Sequence, residues 1–100
     1  MLTGKQKRYL RKEAHSLKPI LQVGKGGINE NVIKQADDAL EAHELIKVSV
    51  LQNNMEENEN TAEQLTAGTK SNLVQIIGNT IILYRPSRNN RQIELPERGR

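Results

Sequence analysis

Residues 20–50 read ILQVGKGGINENVIKQADDALEAHELIKVSV, and this stretch decides the fold. Pro19 cannot sit inside a helix, and the apolar run Ile20 to Val23 behind it reads as a short buried strand. Gly24, Lys25, Gly26 and Gly27 then break the pattern. Asn29 can cap a helix in which Val32, Ile33, Ala36, Ala39, Leu40 and His43 recur at i, i+3, i+4 spacing, with Glu30, Asp37, Asp38, Glu41 and Glu44 on its other face. From Leu45 to Leu51 the period changes to two, with Ile46, Val48 and Val50 on one side and Lys47 and Ser49 on the other, as in a strand covered on one face. A strand, a helix and a second strand in this order predict a parallel pair joined by a helical crossover.

Working outward, Thr3 is placed to cap a helix running to about His15. Leu2, Gln6, Tyr9, Leu10, Ala14 and Leu17 share one side of it, and Lys5, Lys7, Arg8, Arg11 and Lys12 fall on the opposite arc. A membrane-surface helix has a similar pattern, but this apolar side lacks Trp and Phe, so docking on a core is the better reading. From Gln52 to Asn60 the chain is polar and acidic, and a loop entering a third helix is expected there, with Met55, Ala62, Leu65 and Thr69 on its buried side. Leu73–Ile77 and Thr80–Tyr84 are strands joined by Gly78-Asn79, a tight-hairpin signal. Both carry apolar residues on both faces, so each side of the sheet needs a cover, and the first helix is the candidate for the second side. After Pro86 a flexible segment, Ser87 to Arg91, is expected, with Ile93 and Leu95 adding a short edge strand. The expected fold is therefore α/β (α+β in some schemes). It is a single domain over residues 1–97 with a flexible tail at 98–100, in the order α-β-α-β-α-β-β, with a four-stranded mixed sheet.

A chain of 100 residues suits one domain, and 25 Ile, Leu and Val residues supply its core. Cysteine is absent, which excludes disulfides and thiolate metal sites. The longest apolar run, Ile81 to Tyr84, is far below the roughly 20 residues of a membrane span. The basic start lacks the apolar stretch of a signal peptide, so a soluble cytoplasmic protein is expected. The net charge of +3 conceals a segregation: residues 1–27 sum to +6, 28–50 to −3, 51–69 to −4 and 70–100 to +4. If the fold brings the basic termini together, they form one electropositive face suited to a polyphosphate. Otherwise the charges are an ordinary solvated surface.

The bend from Gly24 to Gly27 lies between a strand and a helix start, where backbone N–H groups and the helix dipole accept an anion. Glycines let the main chain approach a phosphate, and Lys25 adds a cation at the tip. The spacing does not make a Walker loop, and a dinucleotide fingerprint would need Gly where Asn29 stands. What remains is a G-x-x-G bend of the kind that clamps a nucleic-acid backbone in KH-type modules; without a ligand, the same bend is simply a tight turn. Lys18 and the Arg85, Arg88, Arg91 cluster are expected beside it. With Tyr9 and Tyr84 the only aromatic rings besides histidine, sheet-based stacking of the RRM kind is disfavoured.

Catalysis finds no foothold. His15 and His43 lack partners at metal-ligand spacing. Asp37 and Asp38 diverge by about 100° around a helix and cannot face one substrate. No serine sits in a nucleophile motif. No enzyme activity, cofactor or metal is expected.

Three stretches, LKPILQVGKGGI from Leu17, ALEAHELIKVSV from Ala39 and LVQIIGNTIILYRP from Leu73, resemble the YhbY-type CRM family, the RNA-binding domain of chloroplast RNA splicing and ribosome maturation. The similarity covers nearly the whole chain, least closely over 52–69. It implies a fold like the C-terminal domain of translation initiation factor three. It also implies a stand-alone bacterial protein that binds ribosomal RNA in precursors of the large subunit. By this resemblance Gly24, Lys25, Gly26 and Gly27 contact RNA, and the surrounding cations, Lys5, Arg8, Arg11, Lys12, Lys18, Arg85, Arg88 and Arg91, complete the surface. The expected partner is RNA, bound by a monomer, with no membrane or small-molecule substrate. The rival readings are a protein-interaction module that recognises a basic ribosomal protein through the acidic helix, and a DNA-binding domain.

Overall fold

The computed structural model describes residues 2–24, 26–51 and 55–96. The elements run α1 Gly4–Ala14, β1 Leu21–Val23, α2 Glu30–His43, β2 Leu45–Val50, α3 Met55–Thr69, β3 Asn72–Ile77 and β4 Thr80–Tyr84, in the order expected from sequence. Thr3 closes α1 with a full capping box: its hydroxyl accepts the Gln6 N–H at 3.1 Å, and the Gln6 side chain accepts the Thr3 N–H at 3.1 Å. Asn29 caps α2 through Val32, at 2.9 Å. The third helix begins at Met55, within the polar stretch where a loop is expected. The role expected of the Met55 side chain, Lys25 at the tip of the bend and the proposed boundary at residue 97 lie outside the described residues.

The sheet has the order β1-β2-β4-β3. β1 pairs parallel with β2 (Leu21↔Val48, Val23↔Val50), and β4 pairs antiparallel with both β2 and β3. β4 holds the inner position because Ile81, Ile82, Leu83 and Tyr84 are all buried, whereas β3 mixes in Asn72 and Gln75 and takes the edge. On one face Ile46, Val48, Val50, Ile81 and Leu83 pack under α2 and α3. On the other face Leu45, Val74, Ile82 and Tyr84 pack under Leu10 and Ala14 of α1, as expected for the second cover. The result is a single α+β domain with a sheet between two helical layers. α3 approaches α2 closely at Gly68, where a Cβ would lie 2.5 Å from Ile33 Cδ1.

The segment after β4 departs from expectation. Ile93 and Leu95 form no strand; they pack against the α1 cluster, and the Pro96 carbonyl accepts the Gln6 side-chain amide at 3.0 Å. The segment is held by carboxylates. Glu44, read from sequence as part of a solvated acidic face, is fully buried. It accepts the backbone N–H groups of Ser87 at 2.8 Å, Gln92 at 2.6 Å and Ile93 at 2.7 Å. These bonds hold Glu44 as the α2 cap with a left-handed φ of 66°.

Candidate nucleic-acid interface

Because β1 and β2 are parallel, the bend leaving β1 at Gly24 emerges at the same end of the sheet as Leu51. The Leu51 N–H donates to the Val23 carbonyl at 2.9 Å. The β3–β4 hairpin turns at this end too, with the Val50 N–H donating to the Asn79 carbonyl at 2.7 Å. The bend closes on itself through the Gly27 N–H and the Gly24 carbonyl at 3.0 Å. Gly27 has φ +72°, which disfavours any side chain, and a Cβ built at either Gly26 or Gly27 would meet nothing within 4 Å. No packing constraint accounts for a glycine at Gly26, and the bend is open to solvent. Asn29 caps Val32, and its carbonyl accepts the Ile33 N–H. Among the described residues the N–H groups of Glu30 and Asn31 have no acceptor within the helix, as at any helix start. Together with the α2 dipole they make a place for an anion. Leu51, 60% exposed and 3.9 Å from a Cβ built at Gly24, is an apolar neighbour of the bend that periodicity does not single out. An apolar residue on the side of Lys47 and Ser49 breaks the polar alternation there, the one signal in the sequence.

The cations divide into two groups. On α1 the buried residues are Gln6, Leu10 and Ala14, which turns Lys5, Arg8 and Lys12 outward and exposed, with Lys7 and Arg11 partly exposed beside them. Lys18 and the three C-terminal arginines lie elsewhere, and the expectation that both termini converge on the bend is corrected here. Arg85 N–H donates to the Glu44 carbonyl at 2.9 Å, so Arg85 sits at the start of β2. The bend lies beyond its end, and a six-residue strand separates them by about 20 Å. Lys18 precedes β1 and lines a cavity with His43 and Gln92 at the same far end.

Of the arginines there, Arg85 faces α2. The Arg85 side chain, 16% exposed, pairs with the Asp37 carboxylate and donates to the Thr69 carbonyl at 2.7 Å and the Asp37 carbonyl at 3.1 Å. Its donors tie α2, the end of α3 and β4 together. Glu41 accepts the N–H groups of Arg88 and Asn89, both at 3.1 Å, and the Ser87 hydroxyl at 2.8 Å. The bonds from Arg88, Ser87 and Asn89, with Arg85 nearby, hold the Glu41 carboxyl below the usual range against a smaller opposing effect of desolvation. For Glu44, desolvation is the largest influence and favours the neutral acid. The N–H groups of Gln92, Ser87 and Ile93, with the charge of Arg91, together outweigh it and lower the pKa. Arg88 and Arg91 stay exposed as a separate basic group.

The fold and site define a class: a one-domain α+β protein with an open G-x-x-G bend at a helix N-terminus and a cationic helix on the other side of the sheet. Within that class the chain belongs to the CRS1/YhbY (CRM) domain family, whose pattern matches residues 2–85. It is similar to the Bacillus subtilis protein named "Probable RNA-binding protein YqeI", at 66% identity over 96% of this chain and 100% of that one. A Haemophilus influenzae protein named "RNA-binding protein" is 38% identical over 97% of each chain. The solution structure of the Staphylococcus aureus hypothetical protein SAV1595, described as a candidate RNA-binding protein, superposes with a TM-score of 0.84. It is 62% identical, covering 96% of this chain and 100% of that one.

Proposed function

We propose that this protein is a non-catalytic, cytoplasmic RNA-binding factor that acts as a monomer on ribosomal RNA in precursors of the large ribosomal subunit. Membership of the CRM family and the names of its relatives support the RNA. The observation that carries the reading is the open bend, whose Gly26 and Gly27 face solvent at the start of α2. A phosphate seats against the α2 donors, and α1 widens the contact with Lys5, Lys7, Arg8, Arg11 and Lys12. If each of these five neutralises one phosphate, a fourfold rise in salt weakens binding by about two to three decades.

The opposite layer supports a second reading. Among residues whose side chains are described, α2 and α3 carry seven acids and one lysine, a face fit for a basic ribosomal protein. Crosslinking in cells followed by sequencing of the attached RNA separates the two. The RNA reading expects fragments of large-subunit ribosomal RNA from the wild type and their loss in Gly26→Asp, a site with neither a clash nor a left-handed φ. Copurification of a ribosomal protein that survives nuclease, without RNA crosslinks, favours the acidic face.

A further inference from the structure

We infer that the half of the sheet left bare beside α1 is a second contact for the RNA, a polar shelf of Gln22, Ser49 and Thr80 along which a single strand runs from the glycine bend to α1. The inference rests on the RNA reading above and names how the ligand continues beyond the bend. Register places these three side by side across neighbouring strands, Gln22↔Ser49 between β1 and β2 and Ser49↔Thr80 between β2 and β4. Their side chains share the face of Leu45, Ile82 and Tyr84, since alternation returns each strand to the same side every two residues. α1 covers that lower half only. In the row nearest the bend Gln22 is exposed and Ser49 and Thr80 are half-buried, and the edge beside Thr80 carries Ile77, 52% exposed; Ile20, level with Lys47, lines the cavity at the far end.

The strands themselves bring only positive charge to this face. Lys47 is the only charged residue in the four strands, and it points to this face with its Nζ donating to the Leu17 carbonyl at 3.0 Å. The flank of α1 toward the shelf is fixed by helical phase. Glu13 lines a cavity with Gln92 and Ile93 of the C-terminal segment, so the flank shared by Tyr9 and Glu13 faces away from the bend. A turn of 100° per residue sets Lys7 and Arg11 on the other flank, overlooking the bare half. Hydroxyl and amide side chains on the floor can donate to and accept from ribose 2′-OH groups, and the cations on the wall meet phosphates. The floor is recessed beside a helix about 10 Å thick, a step that a single strand with splayed bases follows and a stiff duplex does not.

The test is fluorescence anisotropy of a labelled ten-nucleotide single-stranded RNA of mixed sequence, with the same RNA annealed to its complement and the DNA of the same sequence as further probes. Ser49→Glu and Gln22→Glu are expected to weaken single-strand binding roughly tenfold, and Gln22→Lys to strengthen it about threefold, through the charge placed under the phosphates. DNA is expected to bind at least several-fold more weakly than RNA. Gln22 is exposed, so its two variants decide the matter even if Ser49→Glu does not fold. Loss of affinity in Gly26→Asp with all shelf variants within twofold of the wild type overturns the shelf and leaves the bend standing. No effect of Gly26→Asp overturns the reading on which both rest. Equal loss of duplex and single-strand binding in the shelf variants overturns the assignment to a single strand.

Discussion

Gly68→Ala sets two effects of known size against each other at the contact that fixes the start of α2. Replacing a helical glycine by alanine favours the folded state by about 1 kcal/mol through backbone entropy. The added methyl would lie 2.5 Å from Ile33 Cδ1, 3.1 Å from Cγ1 and 3.2 Å from Cγ2. Cδ1 can swing away, but Cγ1 and Cγ2 are bonded to the Ile33 Cβ, whose χ1 is nearly confined to one rotamer in a helix. Relief therefore requires α2 and α3 to separate, an overpacking cost of about 1–3 kcal/mol. The net expectation is destabilisation by roughly 1 kcal/mol, a fall in Tm of about 4–8 °C for a domain of this size. In an Ile33→Ala background all three opposing atoms are gone, and the same substitution should become stabilising by about 1 kcal/mol. Urea unfolding of the four proteins of this cycle measures both. A Gly68→Ala protein more stable than the wild type with Ile33 intact would refute the close approach of the helices.

Acid should release the C-terminal segment. Glu41 and Glu44 have pKa values below their ordinary 4.5, so the unfolded chain binds more protons in acid. Their contribution is present above pH 4.5 and is lost as pH falls through the lower folded values. Urea midpoints followed down from pH 6 should fall below pH 4.5, and Glu44→Gln should flatten that fall; an unchanged slope would refute the clamp. Arg85→Gln should cost about 1–3 kcal/mol of stability through the lost bonds to the Thr69 and Asp37 carbonyls, the exposed Asp37 carboxylate adding little. RNA affinity measured by anisotropy should stay within threefold, and a large affinity loss with unchanged unfolding would place Arg85 in the interface.

The order of elements was legible because α1, α2 and β2 each carry one clear period and Gly78-Asn79 marks the hairpin, and the caps of α1 and α2 could be read from Thr3 and Asn29. The inner place of β4 was also written in its unbroken apolar run. α3 was obscured because its buried side includes Asn58, fully buried and donating to the Gly78 carbonyl and the Asn79 side chain. A polar residue on the packed face dilutes the helical pattern. The bend was legible from its glycines, whereas the position of the cations was not. Charge counts do not say at which end of a strand a residue falls, and the bonds that join Arg85 to Asp37, and Glu41 and Glu44 to the C-terminal segment, span more than forty residues of sequence. The same distance hid the burial of Glu44, which local pattern places on a wet face.

The most direct measurement is an amide NMR titration of the labelled protein with large-subunit ribosomal RNA fragments. An RNA backbone held at the glycine bend predicts the earliest and largest shifts at Gly24, Gly26, Ile28, Glu30 and Asn31. Shifts confined to the acidic layer of α2 and α3, or to the segment from Ser87 to Ile93, with the bend unmoved, would contradict it.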